Sequence, residues 1–126
     1  MQQLYFLTLF QKIQMWILIS PAFIRYFTPK NISGISIFPF IILERKEIKE
    51  DKTFVRHELI HIRQQMELIL VLFIILYYLE FLILFIKYGN LQQAYRNISF
   101  EREAYENESN YNYLKTRKWF SFIKYW

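Results

Sequence analysis

Two long apolar runs dominate the pattern of this chain. Residues 68–86 contain a single charged residue, Glu80, among 19 positions, and a run of that length suits a membrane span or a membrane-inserted hairpin. Residues 3–27 are also strongly apolar, but polar side chains and Pro21 interrupt them. For this stretch we predict a helix in or against the membrane that breaks near Ser20-Pro21.

The segment between these runs has the pattern of a strand followed by a helix. Residues 35–43 are rich in β-branched and aromatic side chains, and Pro39 among them favours an edge strand. Residues 44–52 form a charged loop. A helix should then begin between Asp51 and Thr53, since either residue can cap it. An edge strand beside such a helix can pair with an extended substrate through backbone hydrogen bonds.

The rest of the chain predicts a reversal, one more helix and a tail. A straight helix from Thr53 to Tyr88 would keep residues near 101 far from those near 60, because each residue adds about 1.5 Å. We therefore expect the chain to reverse near residues 70–72. Gly89-Asn90 marks a turn, and a helix follows over about 91–113. The tail interleaves basic and aromatic residues, which is typical of an interfacial anchor.

These patterns predict a single domain over residues 1–126 that is mainly α with a short β element. Its parts are an apolar N-terminal helix at 1–27, a strand and a helix at 33–66, a hydrophobic segment at 67–88, a helix at 91–113 and a basic-aromatic tail at 114–126.

Composition narrows the surroundings of the chain and the chemistry open to it. Hydrophobic residues make up 54% and aromatic residues 21%, which is high for a soluble domain, yet 21% are charged. The net charge is +5, and the basic residues lie among apolar ones, which favours anionic lipid over nucleic acid as a partner. Because the chain has no cysteine, a metal site must use His, Glu, Asp or water.

The segment His57-Glu58-Leu59-Ile60-His61 carries the strongest chemical pattern. The chain has two histidines, and both belong to this HExxH motif. Residues four apart share one face of a helix, so the two imidazoles point to one place, as tetrahedral Zn²⁺ requires. Glu58 is next to His57 and can accept a proton from a water that zinc makes more acidic. We predict His57 and His61 as zinc ligands and Glu58 as the catalytic base.

Three glutamates compete for the place of the third ligand. Glu80 has a spacing from the motif that resembles the large zinc aminopeptidases. Glu101 with Ala104 resembles the E-x-x-A pattern of integral-membrane gluzincins, although Tyr105 stands where those proteins have an acid or an amide. Glu103 with Asn107 is a rival register. We favour Glu101 as the ligand and expect Glu80 to be buried near it.

Polar residues around the motif are assigned more modest roles. Gln64 and Gln65 lie one turn after the histidines and are most simply helix-surface residues, although they can reach a ligand or a substrate backbone. Arg56 and Arg63 suit lipid headgroups or carboxylates, and Arg102 suits a neighbouring carboxylate.

Several segments together resemble a family of small bacterial membrane proteins of the HExxH metallopeptidase type. They are GISIFPF, HELIHIRQQMEL, AYRNISFEREAYENE and YLKTRKWFSFIKYW, and the resemblance covers roughly residues 33–126. It implies a compact, zincin-like helical core with a membrane-inserted or interfacial hydrophobic segment. It also implies zinc held by His57, His61 and Glu101, with Glu58 as the base, and it brings no known substrate.

The expected function is a zinc metallopeptidase of the bacterial inner membrane that hydrolyses peptide or membrane-protein substrates. Its partners would be the substrate and membrane lipid, and no nucleic acid is expected. The alternative is a catalytically inactive adaptor, or pseudopeptidase, that zinc stabilises. A structural membrane protein without a metal is the third possibility.

Overall fold

A computed structural model describes residues 16–126, which are mainly helical with one small sheet. The predicted N-terminal helix lies partly outside the described residues, at 1–15. Within them, Trp16–Ile19 form a strand, β1, and not a helix, because they pair in parallel with a later strand. Helix α1 follows at Pro21–Phe27, and Ser20 caps it by accepting a hydrogen bond of 3.3 Å from Phe23 N. A boundary therefore lies at Ser20-Pro21, but it separates a strand from a helix and is not the predicted break within a helix.

The predicted single strand at 35–43 is a β-hairpin. Strand β2 covers Gly34–Ile37 and strand β3 covers Phe40–Leu43, and the sheet order is β1-β3-β2. Pro39 lies in the turn between them and not in an edge strand; there its missing N–H removes no bond from the sheet. The edge strand of this hairpin is β2, since β3 pairs on both sides.

The motif lies on helix α2, Lys52–Leu68, which a single 3₁₀ turn at Lys46–Glu50 precedes. Asp51 caps α2, as predicted, and its carboxylate accepts hydrogen bonds of 3.0 Å from Thr53 N and Phe54 N. The sheet lies close against α2 at Gly34. A Cβ on Gly34 would come within 2.8 Å of side-chain atoms of Leu43 and Phe54, so the close approach needs glycine here.

The chain reverses at Ile69, one residue before the predicted region. Ile69 has φ 61° and ψ 137° and separates α2 from helix α3, Leu70–Tyr88. A β-branched residue with positive φ is strained, because its side chain crowds the backbone. Because isoleucine and not glycine occupies this position, the sequence carries no Gly or Pro that marks the turn.

Replacing Ile69 by glycine should stabilise the protein. Glycine adopts positive φ at no steric cost, and relief of one strained residue is worth on the order of 1 kcal/mol. Thermal unfolding in detergent measures the effect. Leu79→Gly, at an exposed position in the middle of α3, is the control and should destabilise by roughly 0.8 kcal/mol. If both variants unfold at lower temperature than the wild type, Ile69 is not strained.

Helix α3 is apolar on nearly every side, and only Phe73 is buried. Leu76, Tyr77, Phe81 and Leu84 pack on the core from this helix. By length and composition α3 is able to cross a membrane, and only 6% of its most apolar window is buried within the protein. A core helix of a soluble protein would be mostly buried. The exposed apolar residues, here called the outer face of α3, are Val71, Leu72, Ile74, Ile75, Tyr78, Leu79, Leu82, Ile83, Phe85 and Ile86.

Two helices replace the single one predicted at 91–113. Helix α4 covers Leu91–Asn97 and helix α5 covers Ser99–Asn107. Ile98 between them leaves the helical conformation and is fully buried beside Phe73, Phe100 and Phe122. Burial of an apolar side chain in this cluster compensates for the broken helix.

The tail at 114–126 is only in part the predicted anchor. Helix α6, Tyr113–Thr116, leads into it, and a 3₁₀ turn covers Ser121–Tyr125. Arg117 and Phe122 are buried and belong to the core. The aromatic residues Trp119, Phe120 and Trp126 remain exposed.

Candidate metal centre

Helix α2 and helix α5 bring two imidazoles and one carboxylate together. Nε2 of His57 lies 3.1 Å from Nε2 of His61. Each of these nitrogens lies 3.3 Å from one oxygen of Glu101, His57 from Oε2 and His61 from Oε1. All three residues are buried. A tetrahedral ion with bonds of about 2.0–2.1 Å holds its ligand atoms about 3.3 Å apart, so this group of side chains could hold a metal ion.

The other ring nitrogens fix which atoms face the centre. Nδ1 of His57 lies 2.7 Å from Oε2 of Glu108, and Nδ1 of His61 lies 2.8 Å from Oε1 of Gln64. Both partners are acceptors, so each Nδ1 carries the hydrogen and each Nε2 presents its lone pair. Oε2 of Glu101 is buried and makes no hydrogen bond within the described residues. Lone pairs that converge without a donor require a cation or an added proton.

Neither of the other candidate ligands lies at this point. Glu80 is half-buried and not buried as predicted. It accepts hydrogen bonds from N and Oγ of Ser99, at 2.8 Å and 2.7 Å, and so caps α5. Glu103 is bonded to Gln64, Tyr113 and Arg117 on another face of α5. Side chains two residues apart on an α-helix point about 200° away from each other around the helix axis, so Glu101 and Glu103 cannot face the same ion.

Gln64 and Gln65 are buried, so the prediction of helix-surface residues is wrong for both. The amide nitrogen of Gln64 donates to Phe100 O at 3.1 Å and to Glu103 at 3.0 Å, which turns its oxygen towards His61. Gln65 accepts from Phe38 N at 2.7 Å and donates to Ser36 O at 2.9 Å. These bonds fix the motif helix to the edge strand on one side and to α5 on the other.

The arginines near the motif support the fold. Arg117 donates to the carboxylates of Glu67 and Glu103, and all three side chains are fully buried. Arg63 also faces Glu67, with 3.8 Å from Nε to Oε1, which agrees with the predicted carboxylate partner. The other two arginines donate to backbone carbonyls: Arg56 to Glu108 O and Arg102 to Tyr125 O. The prediction of a carboxylate partner is therefore wrong for Arg102, whereas a lipid headgroup as partner of Arg56 stays a prediction.

Glu58 is buried next to the centre, where a catalytic base would be. Burial raises its pKa, and the negative charge of Glu101 adds to the rise. The positive charges of His61 and His57 and a hydrogen bond from Ser36 act in the opposite direction. A carboxylate with a raised pKa binds a proton more readily, which suits a group that must accept one from water.

Charges at the centre are strongly coupled when no cation is bound. Burial by itself lowers the pKa of His61, but the charge and hydrogen bond of Glu101 outweigh it and raise the pKa to about 9. Burial likewise opposes ionisation of Glu101, yet the imidazoles hold the pKa of its carboxyl well below the usual range. The extra proton on His61 thus takes the place of a cation between the lone pairs.

Metal binding should therefore strengthen as the pH rises and level off near pH 9. Below that pH the ion must displace a proton from His61, whose pKa without metal is about 9. A chelator competition titration from about pH 6 to about pH 10 measures the affinity. Affinity that does not change across this interval would show that His61 binds the ion without losing a proton.

Three residues of the site were not identified from the sequence. Tyr77 donates to Oε1 of Glu101 at 2.7 Å. The ring of Tyr105 packs against His57, with centroids 4.6 Å apart, and Glu108 accepts from the same imidazole. Glu108 follows Glu101 by seven residues, which is two helical turns, so the helical period indicated that both face α2. Nothing in the sequence indicated Tyr77.

Two adjoining cavities share His57 and Glu58 among their lining residues. The first, here called the polar cavity, has a volume of about 660 Å³, and its charged and polar lining includes Lys30, Asp51, Gln92, Arg96 and Glu108. The second, here called the apolar groove, has a volume of about 500 Å³ and lies between β2 and α3. His61 and Glu101 line the apolar groove as well. Both cavities give a molecule of peptide size access to the centre.

Comparison of the chain with protein-family models, curated proteins and solved structures found no match.

Proposed function

We propose that this protein is a membrane-associated, zinc-dependent metallopeptidase. One observation carries the proposal: the two Nε2 atoms and the Glu101 carboxylate lie 3.1–3.3 Å apart, and each Nδ1 bonds to an acceptor, so both Nε2 atoms are the ones that face a common ion. This is the arrangement of ligand atoms around a tetrahedral ion.

The donor set favours zinc among the divalent cations. Two imidazole nitrogens and one carboxylate oxygen form a common catalytic zinc site, whereas magnesium and calcium prefer oxygen ligands alone. Three protein ligands leave a fourth position for water or substrate. When bound, zinc polarises a carbonyl oxygen and lowers the pKa of water.

The position of Glu58 favours a catalytic role for the zinc site over a purely structural one. A site that held zinc only for folding would need no further carboxylate beside the ligands. Here Glu58 is buried, has a raised pKa and lines both cavities next to His57. We assign to it the removal of a proton from the attacking water and the return of that proton to the leaving amine.

The outer face of α3 supports membrane association. It presents ten exposed apolar side chains, and we place it in the hydrocarbon region of the bacterial inner membrane. The exposed aromatic residues of the tail would lie at the headgroups, together with the neighbouring Lys118 and Lys124. We further propose that the motif helix, the edge strand and α5 correspond to a zincin-like core.

Glu58→Gln should keep the bound zinc and abolish peptide cleavage. The amide has nearly the same shape as the carboxylate but cannot accept a proton at neutral pH, and loss of a general base lowers kcat by on the order of 10²–10⁴. Zinc content and cleavage of unfolded membrane-protein segments are measured in the same preparation.

The matched control is Glu106→Gln, an exposed glutamate of α5, which should leave both quantities unchanged. Cleavage that persists in the Glu58 variant excludes the proposed mechanism. A wild-type protein that holds zinc but cleaves nothing would favour the inactive adaptor.

A further inference from the structure

The polar cavity and the apolar groove differ in chemistry although seven residues line both: Pro29, Ile32, Gly34, His57, Glu58, Phe81 and Tyr95. Apart from the centre itself and Gln65, the groove is lined mainly by apolar and aromatic side chains of β2, α1 and α3. Ile35 and Ile37 come from the edge strand, and Leu70, Ile74 and Tyr78 from α3. The polar cavity carries charges of both signs, with Lys30 and Arg96 opposed to Asp51 and Glu108. The lining of the polar cavity is mixed, since Phe54 and Leu91 also contribute to it, so a ligand that fills both cavities meets charged groups outside the metal centre at one end only.

The rim of the apolar groove is continuous with the outer face of α3. Phe27, Ile74 and Tyr78 line the groove and are 75%, 45% and 64% exposed. Ile74 and Tyr78 belong to the outer face, which the proposed function places in lipid. An apolar segment can thus pass from the bilayer into the groove without crossing water, so its desolvation has no further cost.

The inner end of the groove is the metal centre. His57, Glu58, His61 and Glu101 all line it. His57 and Glu58 also line the polar cavity, so a chain that continues from the groove into that cavity passes the metal centre. The bond nearest to the catalytic base would therefore join the apolar and the polar part of the ligand.

We propose that the substrate is an amphipathic peptide whose apolar segment comes from the bilayer and lies in the apolar groove. Its polar segment occupies the polar cavity, and the scissile bond lies at the boundary between the two. This inference rests on the proposed function and specifies its substrate class. Selectivity is set by the apolar side chains of the groove and not by a charged pocket.

Neighbouring isoleucines of α3 provide a matched test. Ile74 lines the groove, whereas Ile75 does not, and the two are 45% and 49% exposed. Asparagine at either position disturbs the outer face of α3 to the same extent. Only Ile74→Asn places a polar group in the groove. A single side chain that does not fit the ligand in an apolar pocket changes the binding affinity by roughly 10–200-fold.

Binding is measured with zinc-loaded Glu58→Gln protein in lipid nanodiscs, since this variant should leave the peptide intact. Two fluorescent peptides share the same polar half, and the other half is rich either in Leu and Phe or in Ser and Gln. The apolar peptide should bind at least about tenfold more tightly, and Ile74→Asn should remove most of that preference while Ile75→Asn keeps it. Zinc content confirms that both variants are folded.

Three results would overturn the proposed substrate class. They are equal binding of the two peptides, an equal loss of the preference for the apolar peptide in both variants, and no binding of either peptide. Cleavage of peptides by the wild type together with any of these results leaves the peptidase proposal standing. Selective binding that depends on Ile74, with no cleavage by the wild type, supports the substrate site and overturns the peptidase activity instead.

Discussion

Glu101→Gln should lose stoichiometric zinc, whereas Glu106→Gln should bind it as the wild type does. The substitution removes the single negative charge among the three ligands and replaces a carboxylate oxygen with a weaker amide donor. Loss of a residue that merely orients a ligand costs about 10–100-fold in metal affinity, so loss of a ligand itself should cost at least about 100-fold.

The experiment is a competition titration with a zinc chelator, and Glu80→Gln and Glu103→Gln extend it to the other candidate ligands. Glu80 caps α5 and Glu103 pairs with Arg117. Zinc affinity in Glu80→Gln should stay close to that of the wild type, and any loss in Glu103→Gln should come with a loss of thermal stability. Wild-type zinc affinity in Glu101→Gln would show that another group completes the site.

Arg117→Met should cause the largest loss of stability of any single substitution considered for this protein. Arg117 is the shared partner of two fully buried carboxylates, Glu67 and Glu103. Methionine is similar in length but leaves two negative charges facing each other without water. Removal of one partner from a buried ion pair costs about 3–5 kcal/mol.

A loss of that size lowers the midpoint of thermal unfolding by roughly 10–20 °C for a chain of this length. Lys118→Met is the control, because Lys118 is the exposed neighbour and should change the midpoint little. The variant should also bind zinc more weakly, since Arg117 holds Glu103, Glu103 accepts from Gln64, and Gln64 orients His61. A midpoint within a few degrees of the wild type would show that the two carboxylates are protonated or hydrated.

The sequence predicted which side chains of the candidate site come together better than it predicted the residues that hold them in place. His57, Glu58 and His61 follow from helical spacing alone, and their meeting on one face of α2 needs no tertiary information. The reversal at Ile69 also followed from distance, because Glu101 could not otherwise reach the histidines. The sequence favoured Glu101 as the third ligand but did not exclude Glu103, because the choice between them depends on how α5 is rotated about its axis.

Elements that depend on distant partners were predicted less well. Trp16–Ile19 form a strand because β3 provides a partner, and an isolated apolar run does not reveal this. Ile98 interrupts a helix because a cluster of buried aromatic residues takes its side chain. The basic and aromatic residues of the tail suggested an anchor, yet Arg117 is buried because Glu67 and Glu103 lie opposite it.

Tyr105 shows how one departure from a familiar pattern can be compensated. An aromatic residue stands at the position where an acid or an amide would be expected, and its ring packs against His57. The carboxylate that orients His57 comes instead from Glu108, one turn further along. Helical spacing makes the two positions equivalent for a residue that must reach α2.

X-ray absorption at the zinc edge, on wild-type protein purified without chelators, tests the metal centre most directly. One equivalent of zinc is expected, with two imidazole nitrogens and carboxylate oxygen at about 2.0–2.1 Å. Protein that takes up no zinc even when supplied with it, or zinc whose ligand shell contains no imidazole, would contradict the assignment of His57, His61 and Glu101.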